Sequence, residues 1–124
     1  MSNDNSTINI IKPIVQQAKE AQKQFEKYSQ KQVDEVVTAV AWALCNPTTN
    51  KLISNLAVET TGLGNAEDKI NKNRRKTLGL LRDLKGVKTV GVVNEDKQKG
   101  IIEIAKPVGV VGAVTPSTNP AATP

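Results

Sequence analysis

The chain has 124 residues, with 17 Lys+Arg against 12 Asp+Glu for a net charge of +5, 38% apolar residues and single copies of the three aromatics Phe25, Tyr28 and Trp42. That length suits one small domain or part of a larger one, and the longest apolar stretch, Pro107 to Val114, is far short of the roughly 20 residues that cross a bilayer. With no histidine and one cysteine, Cys45, the chain cannot hold an internal disulfide, a Cys/His zinc cluster, or a Ser/His or Cys/His dyad. No metal site is expected. The polar start, Met1 to Thr7, lacks the basic cluster and apolar core of a secretory signal, so a soluble, cytoplasmic protein with no membrane partner is expected.

Apolar residues at Ile11, Ile14, Val15, Ala18, Ala21, Phe25 and Tyr28 repeat by three or four, which predicts an amphipathic helix with Pro13 in its first turn. Val33, Val36, Val37, Val40, Ala41 and Leu44 predict a second helix that buries the valines and Leu44 and stops at Asn46-Pro47. A third, capped by Thr48, Thr49 or Asn50, carries Leu52, Ile53, Leu56 and Ala57 and ends at Gly62-Leu63-Gly64. Asn65 caps a fourth, with Glu67 and Asp68 in its first turn opposing the positive end of the helix dipole, and Ile70, Leu78, Leu81 and Leu84 leading to Gly86. Its basic run, Lys69, Lys72, Arg74, Arg75 and Lys76, could contact phosphates, but a solvated face explains it, and the scarce aromatics offer no stacking platform for single strands. No nucleic-acid partner is expected.

After Gly86 the period shortens to that of strands. Val87 to Val93 and Ile101 to Ala105, separated by the polar loop Asn94 to Gly100, predict an antiparallel pair. Pro107 to Val114 is apolar on both faces, as in a strand covered by helices in a parallel sheet. Such a strand needs parallel neighbours and crossover helices, and only the segment Thr115 to Pro124 follows it. The sequence therefore reads as a truncated chain of α/β class, with a helical region at 1–86, a strand pair at 87–106 and the start of a parallel sheet at 107–124.

Gly109-Val110-Val111-Gly112 lacks the full G-x-G-x-x-G spacing and reads as small residues packing a strand. Cys45 has no histidine to activate it and reads as a small core residue. Thr115-Pro116-Ser117-Thr118-Asn119-Pro120 stands where the C-terminal end of a parallel strand would meet a ligand. Its prolines restrain the backbone around Asn119, whose side-chain amide can donate to a developing oxyanion. An ordinary proline-rich turn explains the same six residues.

Three stretches carry a family resemblance: Glu59-Thr60-Thr61-Gly62-Leu63-Gly64 with Glu67-Asp68-Lys69 and Lys72-Asn73; Gly100 to Pro107; and Pro107 to Gly112 continuing through Thr115 to Pro120. In order and spacing they resemble the N-terminal portion of the aldehyde dehydrogenase superfamily, in its coenzyme A-acylating branch. Ser117-Thr118 before the asparagine and Pro120 after it look like that branch, since the wider superfamily usually has aromatic flanks. The resemblance implies N-terminal helices packed on a Rossmann-like domain whose first strand is Pro107 to Val114, with the strand pair in an oligomerisation sheet. It implies an oxidoreductase that takes a small-molecule aldehyde to an acyl-CoA with NAD or NADP and coenzyme A, and that assembles as a homo-oligomer. Asn119 matches the family's oxyanion-hole asparagine, and Val114, Thr115, Pro116 and Ser117 match backbone on the nicotinamide side of the cofactor site. The family's catalytic cysteine lies beyond the position of Pro124, and Cys45 does not match it, so the 124-residue fragment alone is expected to be inactive. A non-catalytic helical module, or a remnant that assembles with a full-length subunit, is the alternative.

Overall fold

The computed structural model describes residues 4–122. Thr123 and Pro124, the end of the expected nucleotide-binding segment, lie outside the described residues. Four helices precede a hairpin: α1 (Asp4–Phe25), α2 (Gln30–Cys45), α3 (Pro47–Thr61), α4 (Ala66–Leu84), β1 (Gly91–Asp96) and β2 (Ile101–Ala105). No described helix is long and apolar enough to cross a membrane. The chain divides into two compact units, Met1–Lys31 with Lys88–Gly112, and Gln32–Val87 with Ala113–Pro124.

In the first unit, α1 begins upstream of the expected Ile11, so Pro13 lies inside the helix rather than in its first turn. A proline there removes one intrahelical hydrogen bond. The helix closes with Phe25 and Tyr28 stacked obliquely, ring centroids 5.3 Å apart. Gln30 ties this end to the strand entry: its Oε1 accepts from the Thr89 N–H at 2.8 Å and the Val90 N–H at 3.0 Å, and its Nε2 donates to Thr89 Oγ1 at 3.0 Å.

β1 and β2 pair antiparallel, with Gly91 opposite Ala105, Asp96 opposite Ile101, and an irregularity between Val92 and Asn94. The expected strand over Val87 to Val93 is thus displaced toward the C-terminus, and Asn94, Glu95 and Asp96, expected in the loop, belong to β1. The turn chemistry sets this register: Asp96 Oδ1 accepts from the N–H groups of Gln98 at 3.1 Å and Lys99 at 3.0 Å, closing the loop tightly just beyond it.

In the second unit, α2 and α3 are separated by Asn46 alone. Asn46 Oδ1 accepts from the N–H of Thr48 at 2.9 Å and of Thr49 at 3.4 Å, and Pro47 occupies the first helical position. The cap is therefore Asn46, not Thr48, Thr49 or Asn50, because proline's missing donor costs nothing at that position. At the far end Gly62 adopts φ 67°, a left-handed cap that a Cβ would strain, and its N–H donates to the Val58 carbonyl at 2.8 Å. Asn65 caps α4 as expected, accepting from the Asp68 N–H at 2.8 Å and donating to Asp68 Oδ2 at 2.6 Å.

α3 and α4 pack along a polar seam. Asn50, Ser54 and Asn73 are buried and bonded to one another, and the buried apolar residues among those described are Ala41 and Ala57. The expected core of α2 is not realised: Val36 and Val37 are each 38% exposed and Val40 is 65% exposed, while Val33 and Leu44 are half-buried. Their periodicity marks one helix face correctly, but among the described residues little covers that face.

The expected strand over Pro107 to Val114 is absent as well. No described strand pairs with it, and Val108, Val111 and Val114 stand exposed. A strand is a partnership of backbones, and apolar residues on both faces cannot make one without a neighbour.

Candidate functional site

Within the second unit the Thr115 to Pro120 segment is held as a turn against α4. The Asn119 N–H donates to the Pro116 carbonyl at 3.1 Å, closing a four-residue turn over Ser117 and Thr118. On the outside of that turn the Thr118 carbonyl accepts from Lys72 Nζ at 3.0 Å and from Lys69 Nζ at 3.4 Å. Spaced three apart, the two lysines share a face of α4.

Lys69 is only 7% exposed. Gly64, with φ +71°, lies beside it, and a Cβ there would make an ordinary van der Waals contact with Lys69 Cε at 3.8 Å. Gly64, Asp68, Lys69, Lys72 and Thr118, with Leu63 and Asn65, line an open concavity of about 260 Å³. The sequence reading placed both lysines on a solvated basic face. The structure corrects this for Lys69, which is buried, and for Lys72, which is half-buried, whereas Arg74, Arg75 and Lys76 are exposed. The available signal was their spacing: both fall in the Glu67 to Asn73 stretch that carried the family resemblance, three residues apart.

Asn119 is half-buried, with its side-chain Oδ1 shielded from solvent. Val114, Thr115, Pro116 and Ser117 are exposed, and Val114 to Pro116 have neither helical nor strand conformation. Cys45, half-buried at the end of α2, is not among the residues lining the concavity. Among the described residues no group of three or more Cys, Asp or Glu is placed to hold a metal ion.

No protein-family model matches the chain. Over 111 residues it is 58% identical to the sulfoacetaldehyde dehydrogenase (acylating) of Cupriavidus necator, an alignment covering 90% of this chain and 22% of that protein. Its homologues are acylating aldehyde dehydrogenases. The succinate-semialdehyde dehydrogenase (acetylating) of Clostridium kluyveri is 40% identical over 124 residues, covering 100% of this chain and 26% of that one. Among solved structures, the acetylating aldehyde dehydrogenase from Geobacillus thermoglucosidasius superimposes with a TM-score of 0.89 at 38% identity, covering 97% of this chain and 26% of that chain. The chain thus spans about a quarter of the length of these acylating aldehyde dehydrogenases. The expected resemblance to the acylating branch and the α/β class are borne out. The structure brings together two stretches that carried the likeness, since Lys69 and Lys72 from one meet Thr118 from the other.

Proposed function

We propose that this chain is the N-terminal part of a cytoplasmic, NAD(P)-dependent aldehyde dehydrogenase that converts a small-molecule aldehyde to an acyl-CoA. The observation that carries the reading is the 58% identity to an acylating enzyme over 90% of the chain. In this reading the Asn119 carboxamide donates an N–H to the oxyanion that forms when a cysteine thiolate from outside this chain attacks the aldehyde carbon. Val114 to Ser117 are exposed, and in this reading their backbone lines the nicotinamide side of the cofactor site. When bound, the nicotinamide supplies the hydride acceptor and coenzyme A the acyl acceptor. The hairpin exposes Ile101, Ile102 and Ile104, which supports assembly as a homo-oligomer.

The test is a chimera in which this chain replaces the matching segment of the Cupriavidus necator enzyme. With sulfoacetaldehyde and coenzyme A it should reduce the nicotinamide cofactor, and Asn119→Ala should lower kcat by about a hundredfold to a thousandfold, the usual loss for one oxyanion donor. Ser117→Ala, which removes only a hydroxyl from a residue read as a backbone contributor, should stay within a few-fold of the parent. An Asn119→Ala chimera with parental kcat and an intact, titratable thiol would reduce this asparagine to a turn former.

A further inference from the structure

We propose that Lys69 and Lys72 are positioning residues for Asn119: both ammonium groups bind the Thr118 carbonyl and so fix the peptide from which the Asn119 side chain projects. The inference rests on the reading of Asn119 as the oxyanion donor and adds how that donor is aimed.

A peptide group is planar, and its six atoms include the Cα of the following residue. The Thr118–Asn119 peptide is held at both polar ends, its oxygen by Lys72 Nζ at 3.0 Å and Lys69 Nζ at 3.4 Å, its N–H by the Pro116 carbonyl at 3.1 Å. A bond from an ammonium group is charge-assisted; Lys72 makes the well-formed one at 3.0 Å, and Lys69 at 3.4 Å adds mainly electrostatic attraction. A carbonyl polarised by these charges also makes its own N–H a better donor, which tightens the turn. The plane therefore has little freedom to rock, and the Asn119 Cα moves with it.

The charge at position 69 carries its own argument. Burying a lysine disfavours folding unless its ammonium group is well paired. Among the described residues neither lysine forms an ion pair, and the bond shown for each goes to the same neutral carbonyl. Methionine, one atom shorter, would keep an unbranched apolar stem beside Gly64 without burying an ammonium group. What methionine could not supply is the donor to Thr118. Asn65 starts α4 four residues before Lys69, so the cap sets the register that delivers both ammonium groups to one point.

In the same chimera, Lys69→Met and Lys72→Met keep the stem and remove the donor. Each is expected to lower kcat by about tenfold with KM within about threefold, since a misaimed group loses rate more than binding. Lys72→Arg, which retains a donor, is expected to recover most of the loss. The deciding measurement repeats the substitutions in an Asn119→Ala background, where they should change kcat by less than about twofold because the group they aim is gone. Equal losses in both backgrounds would overturn the positioning role while leaving the oxyanion role of Asn119 intact. An Asn119→Ala chimera as active as its parent would overturn both. Thermal unfolding of each variant controls for folding, and if Lys69→Met does not fold, the half-buried Lys72 carries the test. In the chain itself, the Asn119 amide should exchange with solvent several-fold faster in Lys72→Met, with the amides of α4 unchanged. Identical exchange would also overturn the proposal.

Discussion

Asn50 places every polar atom of its side chain inside the α3–α4 pair. Its Nδ2 donates to the Ile70 carbonyl at 3.0 Å, and its Oδ1 accepts from Asn73 Nδ2 at 3.0 Å and Ser54 Oγ at 3.3 Å. Such a network stabilises only while complete, because an orphaned buried donor carries its full desolvation penalty. Asn50→Ala is therefore expected to cost about 2–4 kcal/mol by urea unfolding, and Ser54→Ala only about 1 kcal/mol. The triple change Asn50→Leu, Ser54→Ala, Asn73→Leu should cost less than Asn50→Ala, since it leaves no side-chain donor or acceptor of the network orphaned and only the α4 carbonyl of Ile70 loses its extra bond. None of this was legible in the sequence. Asparagine is a common cap, and position 50 follows a run of capping residues, so one residue type served two roles and local pattern could not separate them. The same ambiguity hid Lys69, whose burial depends on a turn 49 residues away.

The helical elements were legible where their signals are local. Proline, glycine and asparagine mark the boundaries of α3 and α4 through contacts spanning a few residues, and those boundaries fall close to where the sequence put them. What failed was burial, which depends on distant neighbours. Val37 is 38% exposed whereas Ala41 on the same helix is 7% exposed. Ala41→Asp should therefore destabilise by several kcal/mol and Val37→Asp by less than about 1 kcal/mol, the reverse of a ranking by hydrophobicity. In the hairpin, the Lys99 backbone N–H and then its ammonium group hold the Asp96 carboxyl below its ordinary pKa, opposed by desolvation and helped in lesser degree by the Gln98 N–H. A lowered folded pKa gives stability that is present above the unfolded value and is lost as pH falls through the folded one. The turn amides of Gln98 and Lys99 should thus stay protected in mild acid and loosen only below the usual carboxylate range. Asp96→Asn, which keeps the oxygen acceptor, should remove that step, and an NMR pH titration reads both.

At the scale of the whole molecule, the separately expressed chain is expected to show no aldehyde-dependent cofactor reduction, because its single cysteine, Cys45, is not among the residues lining the concavity beside Thr118. Robust turnover by pure 124-residue protein would contradict that. The polar seam between α3 and α4 also sets how the chain responds to temperature. Exposing apolar surface raises the heat capacity of unfolding and exposing polar surface lowers it. A chain whose described core holds Asn50, Ser54, Lys69 and Asn73 beside Ala41 and Ala57 should unfold with a heat-capacity change well below the roughly 12 cal/mol/K per residue of ordinary globular proteins, as calorimetry can measure. Its stability curve is then shallow, and chilling, which weakens methyl-lined interfaces, leaves this helix pair nearly untouched.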